Sequence, residues 1–234
     1  MGFPPVGGWQ GATVAEIRPE TATVKTFRFS LSQPTPHIAG QHFSIRLTAP
    51  DGYMTERSYS VASPPNDKEI ELTVERLADG EVSTFLHDEA MVGDTFEVRG
   101  PVGGWFVWDG TTPALLIGGG TGVVPVMAML RLARRTPNQT LAHLIVSVRT
   151  PGDLIYGDEL PGPDTTVIYT RQAPPGVTRP PGRLAADDLA PHIRSSATTY
   201  ICGSTPFVEA ASALVVDAGV ESGTIRHERF GPTG

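Results

Sequence analysis

The sequence predicts two domains in tandem: an all-β domain of short antiparallel strands, then an α/β domain built on a parallel sheet. Three observations carry this reading. Up to about Asp109 the chain consists of short runs rich in β-branched and aromatic residues, broken by Pro, Gly and Asp-Gly. After Gly110-Thr111-Thr112-Pro113 the rhythm changes to continuous apolar runs alternating with helical segments. A glycine cluster, Gly118-Gly119-Gly120-Thr121-Gly122, stands where the first of those apolar runs gives way to a helical pattern. The expected domains are therefore residues 1–109 and 110–234.

In the first half, strands are expected over residues 13–17, 24–29, 41–47, 58–62, 69–76 and 95–99. Most of them alternate apolar with polar side chains, as a sheet with one buried face requires. Their number and spacing suit an antiparallel barrel or a sandwich. One helix is expected, starting near Ser83 and running through Thr84-Phe85-Leu86-His87-Asp88. In the second half, strands at 114–117, 141–148, 166–170, 200–202 and 225–230 alternate with helices at 123–134, near 156–160, at 184–189 and at 206–218. Strands that are apolar throughout belong to a parallel sheet covered on both faces. Pro174-Pro175-Gly176 and Pro180-Pro181-Gly182 mark an irregular loop, and no internal repeat is visible.

Bulk composition excludes several classes. With 39% hydrophobic and 18% charged residues among 234, the chain has the makings of real cores and not of a disordered tail. The apolar stretches at 114–117 and 123–130 fall far short of the ~20 residues a membrane-spanning helix needs. The start, Met1-Gly2-Phe3-Pro4-Pro5, lacks the basic and apolar segments of a secretory signal, so a cytoplasmic location is expected. One cysteine excludes an internal disulfide, a four-cysteine zinc site and a four-cysteine iron–sulfur cluster. No metal site is expected, and any iron–sulfur centre belongs to another chain. A net charge of −7 argues against general nucleic-acid binding, which needs cations to neutralise phosphates.

The glycine turn has the context that phosphate-binding loops require. Glycines take positive φ and let the backbone approach a pyrophosphate, and the helix that follows offers free amides and a favourable dipole. Gly119, Gly120, Thr121 and Gly122 are the candidate ligand-facing residues, with Pro125 early in the helix, where its missing amide proton costs nothing. The spacing is Gly120-x-Gly122-x-x-Pro125 and departs from the usual Gly-x-Gly-x-x-Gly. A tight strand-to-helix turn without ligand is the competing reading.

In the first half, Arg57-Ser58-Tyr59-Ser60 lies on an expected strand. Alternation puts Arg57 and Tyr59 on one face and Ser60 on the other or at the strand's end. Arginine pairs with phosphate, an aromatic ring lies against a planar heterocycle, and a hydroxyl bonds a ring nitrogen. Gly80-Glu81-Val82-Ser83 precedes the expected helix and offers a second anion site, or Ser83 is a plain cap.

In order, Arg57-x-Tyr59-Ser60, Gly80-x-x-Ser83, Gly100-Pro101-x-Gly103, Gly120-x-Gly122-x-x-Pro125 and Cys202-Gly203-x-x-Pro206 resemble the ferredoxin–NADP reductase family. The resemblance runs from about Gly11 to Phe230 and is nearest to short bacterial members without a fused iron–sulfur domain. It implies a six-stranded antiparallel barrel that binds flavin, then a five-stranded parallel sheet that binds NAD(P). It also implies roles. Arg57 contacts flavin phosphate; Tyr59 packs on the isoalloxazine; Ser60, as a catalytic residue, sits near the reactive flavin nitrogen, with Ser58 between them. Gly80, Val82 and Ser83 contribute pyrophosphate contacts. Cys202, the second catalytic candidate, and Gly203 lie beside the nicotinamide, although a buried, inert strand cysteine reads equally well. The closing Glu228-Arg229-Phe230 resembles the family's C-terminal segment near the flavin.

The implied reaction is hydride transfer between NAD(P)H and FAD, with electrons passed on to a one-electron acceptor: a ferredoxin, a [2Fe–2S] oxygenase component or a haem protein. No general base is needed, so the scatter of His37, His42, His87, His143, His192 and His227 is no objection; packing or surface roles are expected for them. Arg149 and Arg171 end expected strands, and Arg183 follows the proline-rich loop; all three suit the 2′-phosphate that distinguishes NADPH from NADH. Tyr156 is the candidate for stacking on adenine. The alternatives are a free-flavin or quinone reductase, and a non-catalytic flavin- or nucleotide-sensing subunit.

Overall fold

The computed structural model of the protein describes residues 8–136 and 139–231. The chain divides into two compact units, Met1–Val107 and Trp108–Gly234.

In the first unit, β1 (Gln10–Pro19), β2 (Val24–Leu31), β3 (His42–Thr48), β4 (Met54–Ser60), β5 (Glu69–Glu75) and β6 (Thr95–Val102) form one antiparallel sheet in the order β4-β3-β6-β1-β2-β5. Just past β4, Val61 bridges Leu72 of β5, and the Ala62 amide donates to the Glu71 carbonyl at 2.8 Å. The two edges thus meet, and the sheet closes as a barrel. Closure removes the exposed edge that an open six-stranded sheet would present. Its interior is one cluster drawn from alternate strand positions, including Val14, Phe27, Phe29, Phe43, Ile45, Leu72, Val74 and Val98. Helix α1 (Glu81–Asp88) adds Val82 and Leu86 to the same cluster.

β4 starts earlier and ends sooner than the expected 58–62. The turn at Asp51-Gly52, with Gly52 at φ +91°, reverses the chain, and the Ala49 amide donates to the Tyr53 carbonyl at 2.8 Å, so pairing with β3 begins at Met54. Met54, Thr55 and Glu56 escaped notice as strand residues because most of this strand faces open space and carries no apolar alternation.

The second unit is a parallel five-stranded sheet in the order β11-β10-β7-β8-β9, from β7 (Ala114–Gly119), β8 (Ala142–Val148), β9 (Thr165–Tyr169), β10 (Thr198–Ser204) and β11 (Ile225–Phe230). The chain starts in the middle at β7, moves out to β8 and β9, then returns to the other side of β7 for β10 and β11. Helix α2 (Val123–Arg135) packs on β7 and β8, and α4 (Thr205–Asp217) packs on β10 and β11. α3 (Ala186–Leu189) is a single turn. β11 lies at the sheet edge and, after the buried Ile225, alternates half-buried with exposed residues, whereas β7 and β8 are almost wholly buried.

The helix expected near 156–160 is not formed. Tyr156 stands at φ +60°, a left-handed conformation that an L-residue helix cannot propagate, and the amides of Glu159 and Leu160 both turn back to the Tyr156 carbonyl. Among the described residues no helix is long and apolar enough to cross a membrane, and no three His, Cys, Asp or Glu side chains are grouped to hold a metal ion.

Candidate functional site

In the barrel unit, β4 leaves its polar side chains open. Arg57 is exposed; its guanidinium donates 2.7 Å to the Glu56 carbonyl, and among the described residues no carboxylate pairs with it. Tyr59 packs its ring against the barrel core while part of it stays accessible, and burial pushes its phenol pKa up. Ser58 shares a 3.1 Å hydrogen bond with Ser44 of β3, and Ser60 closes the strand at 7% exposure. Arg57 and Tyr59 fall opposite Ile45 and Phe43 of β3, so they share a face, while Ser58 and Ser60 share the other. An unpaired cation and a half-open ring on one strand face fit a flat, phosphate-bearing ligand.

At the start of α1, Gly80 is the N-cap and Ser83 the third helical residue. The Ser83 hydroxyl is used within the loop: it donates to the Gly80 carbonyl at 3.1 Å and accepts from the Leu77 amide at 3.2 Å. Val82 is 1% exposed and its side chain belongs to the core. What this turn has left to offer an anion is therefore the backbone at the helix start.

In the α/β unit, the glycine turn sits at the C-terminal end of β7, the strand from which the sheet grows in opposite directions. Open parallel sheets bind ligands in the crevice at such a switch point. The Gly-rich segment 120–122 forms a 3₁₀ turn leading directly into α2, with Gly120 at φ +55° and Pro125 as the third residue of the helix. The neighbouring turn, Cys202-Gly203, ends β10. The two are interlocked. A side chain on Gly122 would land on the Cys202 carbonyl, and one on Gly203 would lie 3.2 Å from the Gly119 carbonyl oxygen. Side chains on Gly119 and Gly203 would both run into the Phe207 ring, at 2.6 and 2.7 Å. Phe207, in the first turn of α4, thus covers both glycines and was not singled out from sequence. With Thr121 between Gly120 and Gly122, the turn has the bare backbone and helix start that a pyrophosphate requires.

Cys202 is fully buried, and burial, with the Glu228 carboxyl next to it, holds its thiol pKa well above the ordinary value. In the β10–β11 register Cys202 lies directly beside Glu228. One carboxylate oxygen of Glu228 is buried without a hydrogen-bond partner among the described residues, and burial pushes its pKa up to about 7. In the sequence Glu228 was visible only as part of the closing segment; its place beside Cys202 follows from register. Phe230 ends β11 beside Ser204.

Arg149 and Arg171 come together at the sheet edge, where the Arg171 amide donates 2.9 Å to the Arg149 carbonyl. Both side chains are exposed. The proline-rich loop returns to the same edge through Gly182, whose amide donates to the Tyr169 carbonyl at 3.0 Å, and this brings in the exposed Arg183. Tyr156 does not belong with them. Its residue is 2% exposed and the Arg131 guanidinium lies 4.8 Å over its ring, so it has no open face for an adenine.

A closed antiparallel barrel followed by a parallel sheet with glycine turns at its switch point defines a nucleotide-handling class of protein, one unit of which is built for a dinucleotide. The oxidoreductase FAD-binding domain family matches residues 12–107, and the oxidoreductase NAD-binding domain family matches residues 116–213. The ferredoxin–NAD(P)(+) reductase component of naphthalene 1,2-dioxygenase/salicylate 5-hydroxylase systems from a Ralstonia species is 30% identical over 233 residues, covering 95% of this chain and 69% of that one. A flavohemoprotein of Pseudomonas putida is 30% identical over 241 residues, covering 97% and 61%. The Flavohem-like FAD/NAD binding domain of nitric oxide dioxygenase from Vibrio cholerae superposes with a TM-score of 0.83 at 25% identity, over 95% of this chain and 99% of that one. The ferredoxin NADP+ reductase of Neisseria gonorrhoeae, with bound FAD and NADP, superposes at 0.80 and 20% identity over 95% and 99%.

The chain belongs to the ferredoxin–NAD(P) reductase family, the NAD(P)H-dependent flavoprotein reductases whose cofactors are FAD and NAD(P). It spans from 61 to 69% of the length of the curated relatives named above.

Proposed function

We propose that this chain accepts reducing equivalents from NADPH on a bound FAD and delivers them one electron at a time to a protein partner. The observation that carries this is the interlocking of Gly119–Gly122 with Cys202-Gly203 at the switch point of a sheet whose chain also supplies the open Arg57-Ser58-Tyr59-Ser60 strand. FAD supplies the chemistry: it takes up two electrons together and releases them singly. The protein supplies placement. Arg57 holds a phosphate, Tyr59 lies against the flavin ring system and Ser60 sets its hydroxyl at the ring's edge. The α1 start and the β7 glycine turn present backbone to the two pyrophosphates. Cys202 and Gly203 leave a shallow, uncharged floor for the nicotinamide, and a raised thiol pKa keeps Cys202 neutral there.

A one-electron protein acceptor, an iron–sulfur oxygenase component or a haem protein, is supported by relatives named as reductase or electron-transfer components of oxygenases and as flavohemoproteins. These names favour it over free-flavin or quinone reduction and over a sensing subunit. We place the work in the cytoplasm, a reducing compartment in which a single buried thiol persists unpaired.

The purified protein should be yellow, release FAD on denaturation, and bleach anaerobically with NADPH. A well-folded colourless protein that refuses added FAD sinks the reading. Arg149 and Arg171, exposed, adjacent and without an ion pair among the described residues, support NADPH over NADH. Replacing both with Ala should raise the KM for NADPH tenfold or more, on the order of the loss of charge-assisted contacts to one phosphate, and leave that for NADH nearly unchanged. Equal losses with the two nucleotides would refute the assignment.

A further inference from the structure

The loop between β9 and α3 is held far more tightly than an exposed connection needs. The guanidinium of Arg179, in this loop, uses all five of its N–H donors. Nε and Nη2 form a fork on Asp188 of α3, at 2.6 and 2.7 Å. The other three donors go to carbonyls of the loop itself: Nη1 to Pro180 at 3.0 Å and Gly182 at 3.3 Å, Nη2 to Arg183 at 2.8 Å. With side-chain exposures of 27% for Arg179 and 11% for Asp188, this is not a solvated surface pair of little worth.

The backbone is anchored on both sides of Arg183. Before it, the Gly182 amide donates 3.0 Å to the Tyr169 carbonyl at the end of β9, and Pro180-Pro181 confine the two preceding residues to a narrow range of φ. After it, Leu184 packs on the core of this unit and Leu189 of α3 is buried in it. α3 does not need Arg179 for its cap, because Asp188 itself accepts from the Ala185 amide at 2.8 Å. Water would satisfy the three carbonyls in an open loop. What Arg179 adds is one fixed backbone path through Arg183, whose side chain is exposed at the edge carrying Arg149 and Arg171. A guanidinium with every donor engaged has none left for a ligand, so its effect passes through a neighbour.

We propose that Arg179 is a positioning residue for nucleotide choice: by pinning the backbone around Arg183 it holds that cation in place, with Arg149 and Arg171, for a ribose 2′-phosphate. This rests on the NADPH reading given above and deepens it. An arginine on a mobile loop loses conformational freedom when it closes on a phosphate, and a loop fixed beforehand binds without that loss. NADH has no 2′-phosphate and gains nothing from the arrangement. The clamp bears on nucleotide affinity alone, so kcat should not respond to it.

Isothermal titration of the oxidised holoenzyme with NADP+ and with NAD+ tests this. The wild type should bind NADP+ more tightly. Arg179→Ala should weaken NADP+ binding about threefold to tenfold, the scale of ordering a side chain on binding. It should leave NAD+ binding unchanged and raise the KM for NADPH with kcat unaltered. Arg179→Lys keeps the charge but cannot make the fork, so it should behave like Arg179→Ala; a lysine variant matching the wild type overturns the proposal, because charge alone would then suffice. In an Arg183→Ala background, Arg179→Ala should cause no further loss, as expected of two residues acting as one. Additive losses there, or equal losses with the two nucleotides, overturn the clamp. A wild type that binds both nucleotides equally sinks the NADPH reading and the clamp with it, whereas an undiminished NADP+ preference in Arg179→Ala sinks the clamp alone. Should the Arg179 variants not fold, hydrogen exchange in the wild-type holoenzyme decides. The Gly182 amide should be protected before any nucleotide is added, and protection that arises only with NADP+ overturns the proposal.

Discussion

At the scale of single residues, the glycines of the β7 turn separate two physical reasons for having no side chain. Gly120 needs its conformation: φ is +55° and nothing lies within 4 Å of where a Cβ would be. Gly122 has an ordinary φ of −62° and needs its space, because a Cβ would strike the Cys202 carbonyl. Gly120→Ala should therefore cost about 1 kcal/mol of stability, the left-handed strain of one alanine. Gly122→Ala should cost about 2 kcal/mol or more and pull the β7 and β10 ends apart. Urea denaturation of the two variants checks the order; equal costs would contradict it. Glu228 makes a pH-dependent prediction. Its folded pKa is about 7 against an ordinary 4.5, so the fold prefers the protonated acid. Its neutral form is tolerated fully below pH 4.5, and stability is lost as pH rises through 4.5 to 7, by up to about 3 kcal/mol. Glu228→Gln should flatten that loss and raise the urea midpoint at pH 8 while leaving it nearly unchanged at pH 4.5.

At the scale of elements, the order of strands and the two long helices of the α/β unit were legible because each carries a strong period: apolar runs for β7 and β8, a 3.6-residue pattern for α2 and α4. Where the period was weak the reading shifted. β4 is polar and open, so only its Arg57-Ser58-Tyr59-Ser60 end registered. The supposed helix after Tyr156 failed because one left-handed residue outweighs several helix-tolerant neighbours. α1 shows how a short helix is held by its loop as much as by its face. Ser83→Ala removes the hydroxyl that ties Leu77 and Gly80 together and should cost about 1 kcal/mol, with α1 amides near Val82 exchanging faster than those of β3. Unchanged exchange there would mean that core packing by Val82 and Leu86 alone holds the helix start.

At the scale of the whole molecule, each unit has its own core. One cluster runs from Ala12 to Val98 and another from Leu115 to Ile225, and neither crosses the division at Val107–Trp108. Fragments 1–107 and 108–234 should therefore fold separately, the first taking up FAD and the second binding NADP, as isothermal titration would register. A fragment that stays unfolded with its cofactor in excess would mean that the cores are not independent. The parallel sheet needs long crossovers between partners far apart in sequence, so the second fragment should refold more slowly than its helical content suggests.

The sequence by itself determined the two-part architecture, the parallel character of the second sheet and the candidate ligand turns, because periodicity and glycine placement are local properties written into consecutive residues. Which residues become neighbours was decided by tertiary structure. The pairings of Ser60 with His42 and Cys202 with Glu228, the capture of Gly119 and Gly203 under Phe207, and the burial of Tyr156 beneath Arg131 all depend on strand register and on packing between segments distant in the chain. Register is set by how a whole face buries itself, and a one-residue slip would have exchanged every one of the strand pairings.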